Sequence, residues 1–176
     1  MTRREPSRCG RGRIAPGIFH FCVSYFHPPI FSFPFSSQLS DNPVPRMPNF
    51  DSLVNIAKQA REMAHAPISN FRVGAALLAK SGRIFTGCNI ENASLGLTCC
   101  AERTAIFKAV SEGERGFDAI AVVADTDTLT PPCGACRQII WEFCGDVPVI
   151  LANLGGKVVQ ESSGGLLPRP FDSSLL

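Results

Sequence analysis

Two short cysteine-bearing segments constrain this chain more than any other feature. Cys100-Ala101-Glu102 is followed, 33 positions after its cysteine, by the Cys133 of Pro132-Cys133-Gly134-Ala135-Cys136. A Cys-x-x-Cys by itself has three readings: a redox pair, half of a structural metal site, or coincidence in a chain with eight cysteines. The pairing with Cys-x-Glu is more demanding. If both segments serve one centre, the fold must bring two distant chain segments to one point. Each segment also opens a stretch of helical character, and each of those stretches follows a segment leading out of a strand-like run.

The runs between these segments specify the rest of the architecture. Residues 51–64 place Leu53, Ile56, Ala57, Ala60 and Ala64 at three- and four-residue spacings, which predicts a helix with one apolar face. Asn49 or Asp51 can cap its start, and Pro67 stops it. Two apolar runs follow, 71–79 and 83–88, joined by Lys80-Ser81-Gly82, a hairpin with a glycine turn. Residues 99–112 read as a helix with Ile106, Phe107 and Val110 inward and Gly113 as its stop. Residues 119–124 form a short continuous apolar run, the pattern of a fully buried strand. A helix over 134–143 and a strand over 147–152 come next, and 157–160 extends the sheet. The order α-β-β-α-β-α-β-β predicts an α/β fold: three layers, α-β-α, around a mixed five-stranded sheet.

Charge divides the chain in two. Residues 1–48 hold six Arg, no Lys and only Glu5 and Asp41 as acids, whereas residues 49–176 hold 11 basic and 13 acidic side chains. The first segment also takes eight of the 14 Pro and six of the 13 Phe, without helical or strand period. It is therefore expected to be disordered or loosely attached, with the folded domain over 49–176. A secretory signal is disfavoured because His20 and Ser24 interrupt the apolar stretch. An organelle transit peptide fits the Arg- and Ser-rich, acid-poor composition but not the missing amphipathic pattern. The remaining reading takes Met47 as the start. The overall net charge of +2 gives no reason to expect a nucleic-acid or membrane-surface partner, and no apolar run is long enough for a transmembrane helix.

Cys-x-Glu followed by Pro-Cys-x-x-Cys is the signature of zinc-dependent deaminases of nucleobases. Three Cys and no fourth ligand nearby leave one coordination position open, which distinguishes a catalytic zinc from a structural one. Three thiolates give the centre a net charge of −1, which weakens the metal as a Lewis acid. Two helix N-termini aimed at the sulfurs offset part of that charge and favour the thiolate form. Arg103 can donate hydrogen bonds to cysteine sulfur and offset more of it. Cys99 is a poor fourth ligand, because adjacent side chains on a helix point about 100° apart. Cys88, Cys99 and Cys144 read as small buried hydrophobes. His20, His27 and His65 are not placed as ligands. Glu102 suits proton transfer: attacking water loses a proton while a ring nitrogen gains one, and a buried carboxylate can carry it. Past the second strand, Asn89 and Glu91 alternate onto one face if the strand continues, an amide and a carboxylate suited to sugar hydroxyls.

On these residues the chain resembles cytidine deaminases of the small, homotetrameric type. The matching stretches are Ser69-Asn70-Phe71-Arg72-Val73-Gly74-Ala75-Ala76, Gly87-Cys88-Asn89-Ile90-Glu91-Asn92-Ala93, Cys100-Ala101-Glu102-Arg103-Thr104-Ala105 and Pro132-Cys133-Gly134-Ala135-Cys136-Arg137-Gln138. The resemblance implies hydrolysis of cytidine and deoxycytidine to the uridines in pyrimidine salvage, by a cytoplasmic homotetramer acting on a small nucleoside. It implies Zn²⁺ on Cys100, Cys133 and Cys136, and proton transfer by Glu102. It places ribose on Asn89 and Glu91 and the base against Phe71, with Ala101 beside the substrate and Leu95 reaching a neighbouring subunit's site.

Three positions depart from the family pattern. Ile68 and Leu95 stand where Tyr is common, and Gly165 stands where Glu is frequent. They bear on substrate affinity and subunit packing, not on reaction type. The alternatives are the same chemistry on another cytosine compound such as a nucleoside antibiotic, a closed structural zinc module, and a redox protein using Cys133 and Cys136.

Overall fold

The computed structural model describes residues 50–176. The expectations for residues 1–48, and Asn49 as a cap, lie outside them. The described elements run α1 (Phe50–Arg61), β1 (Val73–Ala79), β2 (Ile84–Cys88), α2 (Ala101–Ser111), β3 (Phe117–Ala124), α3 (Gly134–Cys144), β4 (Pro148–Asn153), β5 (Val158–Ser162) and a one-turn α4 (Ser163–Leu166). One sheet contains all five strands in the order β2-β1-β3-β4-β5. Only β3 and β4 run parallel, with Ile120 opposite Val149 and Ala124 opposite Asn153. The continuous apolar runs of β1 and β3 are explained by burial on both faces.

The two faces are covered differently. Leu53, Val54 and Ala57 of α1 pack on Ala76, Leu78, Ala121 and Val123. On the other face, Ala105, Ile106 and Ala109 of α2 and Ile140 of α3 meet Leu77, Ile120 and Val149. Two glycines set how close the helices lie. A Cβ on Gly74 would fall 2.1 Å from the Ala57 carbonyl oxygen, and one on Gly87 would fall 2.3 Å from that of Ala101. Small residues there let α1 and α2 sit directly on the sheet backbone. The hairpin turn has Gly82 at φ +84°, as its sequence predicts.

Several boundaries differ from expectation, each for a tertiary reason. The first helix ends at Arg61, well before Pro67. His65 draws the chain away by donating its N–H to the Asn89 carbonyl (3.0 Å) and accepting from the Glu91 N–H (2.8 Å). Val54 joins the buried stripe, while Ile56, Ala60 and Ala64 are only half-buried. The first strand begins at Val73, not Phe71, because the Phe71 backbone is held by side chains. Its N–H donates to Ser69 Oγ (3.0 Å), and its carbonyl accepts from Asn89 Nδ2 (2.7 Å). Phe107 does not face inward. It sits one position past fully buried Ile106 and meets Phe143 edge-on at 6.1 Å. Strand β5 lies at the sheet edge with every residue exposed. Cys88, Cys99 and Cys144 are half-buried rather than buried. Burial nevertheless pushes the Cys144 thiol up to about 12.

Candidate active site

Cys100 and Cys133 are the N-caps of α2 and α3, a position usually held by Ser, Thr, Asp or Asn. Both have extended backbone, with φ/ψ of −74°/157° and −64°/164°, so each sulfur stands at the mouth of its helix. Cys136 follows in the first turn of α3 and is fully buried. The three sulfurs lie within 4.8 Å of one another, and those of Cys100 and Cys133 are 4.0 Å apart.

Cys99 takes no part in this cluster, though not for the helical reason expected. Helix α2 starts at Ala101, and Cys99 is in an extended bridge with Ile90, where successive side chains alternate in direction. Its sulfur accepts a hydrogen bond from the Thr104 hydroxyl (3.5 Å).

Three sulfurs this close cannot all carry charge without a cation. The Cys100 thiol is held down to about 5, chiefly by a hydrogen bond from Cys136 and further by Arg103. Cys136 is pushed up, chiefly by sharing its proton with Cys100 and then by burial. A cation that takes all three sulfurs must displace the proton that Cys136 holds against Cys100. Arg103 Nη2 donates to the Thr98 carbonyl (2.7 Å) and to Cys100 Sγ (3.6 Å), so its charge lies against the cluster as expected.

This donor set fits zinc. Tetrahedral Zn²⁺ with bonds of about 2.3 Å needs sulfurs about 3.8 Å apart. The spacing of Cys100 and Cys133 is 4.0 Å. Among the described residues the cluster has three ligand atoms, which leaves one tetrahedral position open.

Glu102, on the first turn of α2, is 4% exposed, and burial raises its carboxyl above the ordinary value, with the Cys100 charge adding to the shift. It borders a cavity of about 230 Å³ that also reaches Cys100 and Cys133. Phe71, Asn89, Glu91 and Ala101 line the same cavity, so of the residues singled out from sequence all but Cys136, Arg103 and Leu95 border it, and Cys136 lies behind it in the sulfur cluster. Arg103 stands behind Cys100 rather than in the cavity wall. Leu95 lies in a short 3₁₀ turn (Leu95–Leu97), 71% exposed, and is absent from the wall of its own chain's cavity.

Asn89 and Glu91 reach the cavity although β2 stops at Cys88. Asn89 Oδ1 accepts from the Val73 N–H (2.8 Å) while its Nδ2 donates to the Phe71 carbonyl, so it also fixes the segment bearing Phe71. Glu91 is tied to the opposite end of that segment. Its Oε2 accepts from the N–H groups of Ile68 (2.8 Å) and Ser69 (3.2 Å), and its Oε1 accepts from the Ser69 hydroxyl. These bonds, the Ser69 hydroxyl first, hold its carboxyl below the ordinary value.

Sequence reasoning missed Val73, Thr98, Val122, Thr130 and Pro131 in the cavity wall. Thr130 and Pro131 stand directly before Pro132-Cys133, which is the signal that could have found them. Nothing local marks Val122, a core residue of a continuous apolar strand.

Residues 47–152 match the family described as the cytidine and deoxycytidylate deaminase zinc-binding region. The chain is 56% identical over 122 residues to a cytidine deaminase of Sporosarcina psychrophila, covering 69% of this chain and 90% of that protein. It is 58% identical over 120 residues to one from Halalkalibacterium halodurans, covering 68% and 91%. The crystal structure of a cytidine deaminase from Burkholderia pseudomallei superposes with a TM-score of 0.69 at 51% identity, covering 70% of this chain and 99% of that one.

Proposed function

This chain belongs to the family of zinc-binding cytidine and deoxycytidylate deaminases, and from that premise we propose that it converts cytidine and deoxycytidine, with water, to uridine and deoxyuridine and ammonia. The observation that carries the reading is the convergence of Cys100, Cys133 and Cys136 on one another, with Cys100 and Cys133 in the wall of a cavity that buried Glu102 also borders. A structural zinc module would close its fourth position, and a dithiol redox site would leave the buried carboxylate without a task.

Cys100, Cys133 and Cys136 hold the ion, which supplies Lewis acidity that lets water act as a nucleophile near neutral pH. Glu102 accepts the proton that the attacking water loses and delivers it to the ring nitrogen beside the amino-bearing carbon. The water oxygen bonds to that carbon. Glu102 then takes the second proton from that oxygen as the carbonyl forms and passes it to the amino nitrogen, which leaves as ammonia when the carbon–nitrogen bond breaks. Burial suits Glu102 to this shuttle, because a carboxyl with a raised proton affinity can give back what it takes. Arg103 stabilises the anionic sulfur of Cys100. Phe71 offers a ring to the base and Ala101 borders it at the start of α2. Asn89 and Glu91 receive the ribose.

The catalytic domain is assigned to residues 49–176. Its net acidity suits a neutral nucleoside better than a polyanion. Assembly as a homotetramer is supported by large apolar side chains left in the open near the cavity, including Ile68 (57% exposed), Leu95 and Leu97 (72%). Reduced thiols at the centre suit the cytoplasm, where pyrimidine salvage would use this reaction. Zinc stoichiometry together with the ultraviolet absorbance change on mixing with cytidine tests the reading. About one zinc per chain and a change to the uridine spectrum support it; a metal-free protein or an unchanged spectrum overturns it.

A further inference from the structure

We propose that Ser69 is a positioning residue for the sugar-binding carboxylate, and that it sets how strongly the enzyme prefers nucleosides carrying ribose hydroxyls. The inference rests on the assignment of Glu91 to the ribose. A carboxylate offers about four acceptor sites, two on each oxygen. Both sites on Glu91 Oε2 are taken by the N–H groups of Ile68 and Ser69. On Oε1 one site is taken by the Ser69 hydroxyl. The acceptor left for a substrate hydroxyl is therefore on the oxygen that Ser69 holds.

The Ser69 hydroxyl has one proton, and it goes to Glu91. Its oxygen accepts in turn from the Phe71 N–H at 3.0 Å. One side chain thus spans the two cavity residues assigned to different parts of the substrate, Glu91 for the sugar and Phe71 for the base. The local backbone is arranged for this. Asn70 adopts φ +57°, which turns the chain back so that Ser69 Oγ can meet the N–H two residues on. The Asn70 N–H is itself anchored on the Ala66 carbonyl at 3.0 Å.

Loss of the hydroxyl frees Glu91 to rotate and also loosens Phe71. The second effect falls on every substrate alike, so the informative quantity is a ratio. The full-length enzyme and its Ser69→Ala, Ser69→Thr, Glu91→Ala and Ser69→Ala/Glu91→Ala variants are assayed on cytidine and on 2′,3′-dideoxycytidine, which keeps the base but lacks both ribose hydroxyls. Zinc content and melting temperature are measured on each. In Ser69→Ala the preference for cytidine, as a ratio of kcat/KM values, should fall roughly fivefold to tenfold, about the net worth of one ordinary hydrogen bond. KM for cytidine should carry most of the change, with zinc content unaltered. Ser69→Thr, which keeps the hydroxyl, should retain most of the preference. Glu91→Ala should lower the preference at least as far, and adding Ser69→Ala to it should lower it no further. An unchanged preference in Ser69→Ala beside a reduced one in Glu91→Ala overturns the role of Ser69 alone. An unchanged preference in Glu91→Ala overturns the ribose assignment and this inference with it. A full additional loss in the double variant shows that Ser69 does not act through Glu91.

Discussion

The two ends of the cavity are built by different means. At the cysteine end, the three sulfurs are held at the starts of α2 and α3, both packed against the sheet, with Cys136 and Glu102 buried. At the other end, proposed above to take the sugar and so called the sugar end, Phe71 and Glu91 stand on loops, and their positions depend on side chain–backbone hydrogen bonds through Asn89, Ser69 and Glu91 itself. The cysteine end must hold three like-charged groups within a few ångströms, which only rigid elements and an added cation can do. The sugar end must admit and release a nucleoside, and loops carry that task at lower stability. Damage at the first end should therefore appear in metal content and turnover, and damage at the second in substrate affinity.

The largest expected effect comes from the ligands. Cys100→Ala, Cys133→Ala and Cys136→Ala should each lose zinc and activity together, because three sulfur donors are all that the described residues bring to the cluster. Metal analysis of the purified variants beside cytidine turnover checks this. Cys99→Ala should keep its zinc, since the Cys99 sulfur bonds to Thr104 outside the cluster. If Cys99→Ala loses zinc while Cys100→Ala keeps it, the ligand assignment is wrong.

Next comes Glu102→Gln, which keeps shape and removes the proton carrier. Zinc and fold should survive, and kcat should fall by about 10²–10⁴ or more, since Glu102 serves more than one step. Steady-state kinetics on the zinc-loaded variant checks it, and turnover within tenfold of the unmodified enzyme would remove Glu102 from the mechanism.

The same contrast governs what the sequence could reveal. The cysteine end was legible because metal ligation fixes residue type and spacing: Cys-x-Glu and Pro-Cys-x-x-Cys are read directly, and each marks a helix start. The order of elements along the chain was legible because continuous apolar runs at residues 119–124 and 147–152 separate buried strands from amphipathic helices, whereas the order of strands within the sheet is a tertiary fact. The end of α1 was not legible, since what stops it is the pairing of His65 with Asn89 and Glu91, more than 20 positions away. Phe107 was misplaced because hydrophobicity alone does not say which of two adjacent apolar side chains faces the sheet. At the sugar end, Asn89 and Glu91 were recognisable as polar residues after a strand. Their hold on Phe71, Val73 and Ser69 is a tertiary fact with no local pattern.

Gly87 joins the two ends and so tests whether they are separable. It sits on β2 one residue before Cys88 and two before Asn89, and α2 rests on its backbone. A Cβ there would come 2.3 Å from the Ala101 carbonyl oxygen and 2.5 Å from the Ala105 nitrogen, both backbone atoms that cannot yield singly. Gly87→Ala should push α2 outward, costing about 1–3 kcal/mol. For a domain of this size that is a fall of roughly 3–15 °C in melting temperature. Both zinc retention and KM should worsen, unlike any change confined to one end. A variant with normal stability, zinc and KM would mean that the helix tolerates the shift.

The smallest expected effect concerns Leu95, and it asks whether the sugar end is complete within one chain. Leu95 is 71% exposed on a short 3₁₀ turn and does not line its own cavity. An apolar side chain so placed suits a neighbouring subunit's site, the role the family resemblance gives this position. There a Tyr would add a flat ring and one hydroxyl, worth about 0.5–1.5 kcal/mol each. Leu95→Tyr should therefore lower KM for cytidine by up to about tenfold, with zinc content and melting temperature unchanged. The measurement is steady-state kinetics on the assembled enzyme, with the oligomeric state checked by sedimentation. A lowered KM in the oligomer places a neighbour's residue at the sugar end. An unchanged or raised KM, beside better turnover of another cytosine compound by the Leu95 enzyme, would instead mean that this end is shaped for a different sugar, while the cysteine end performs the same chemistry.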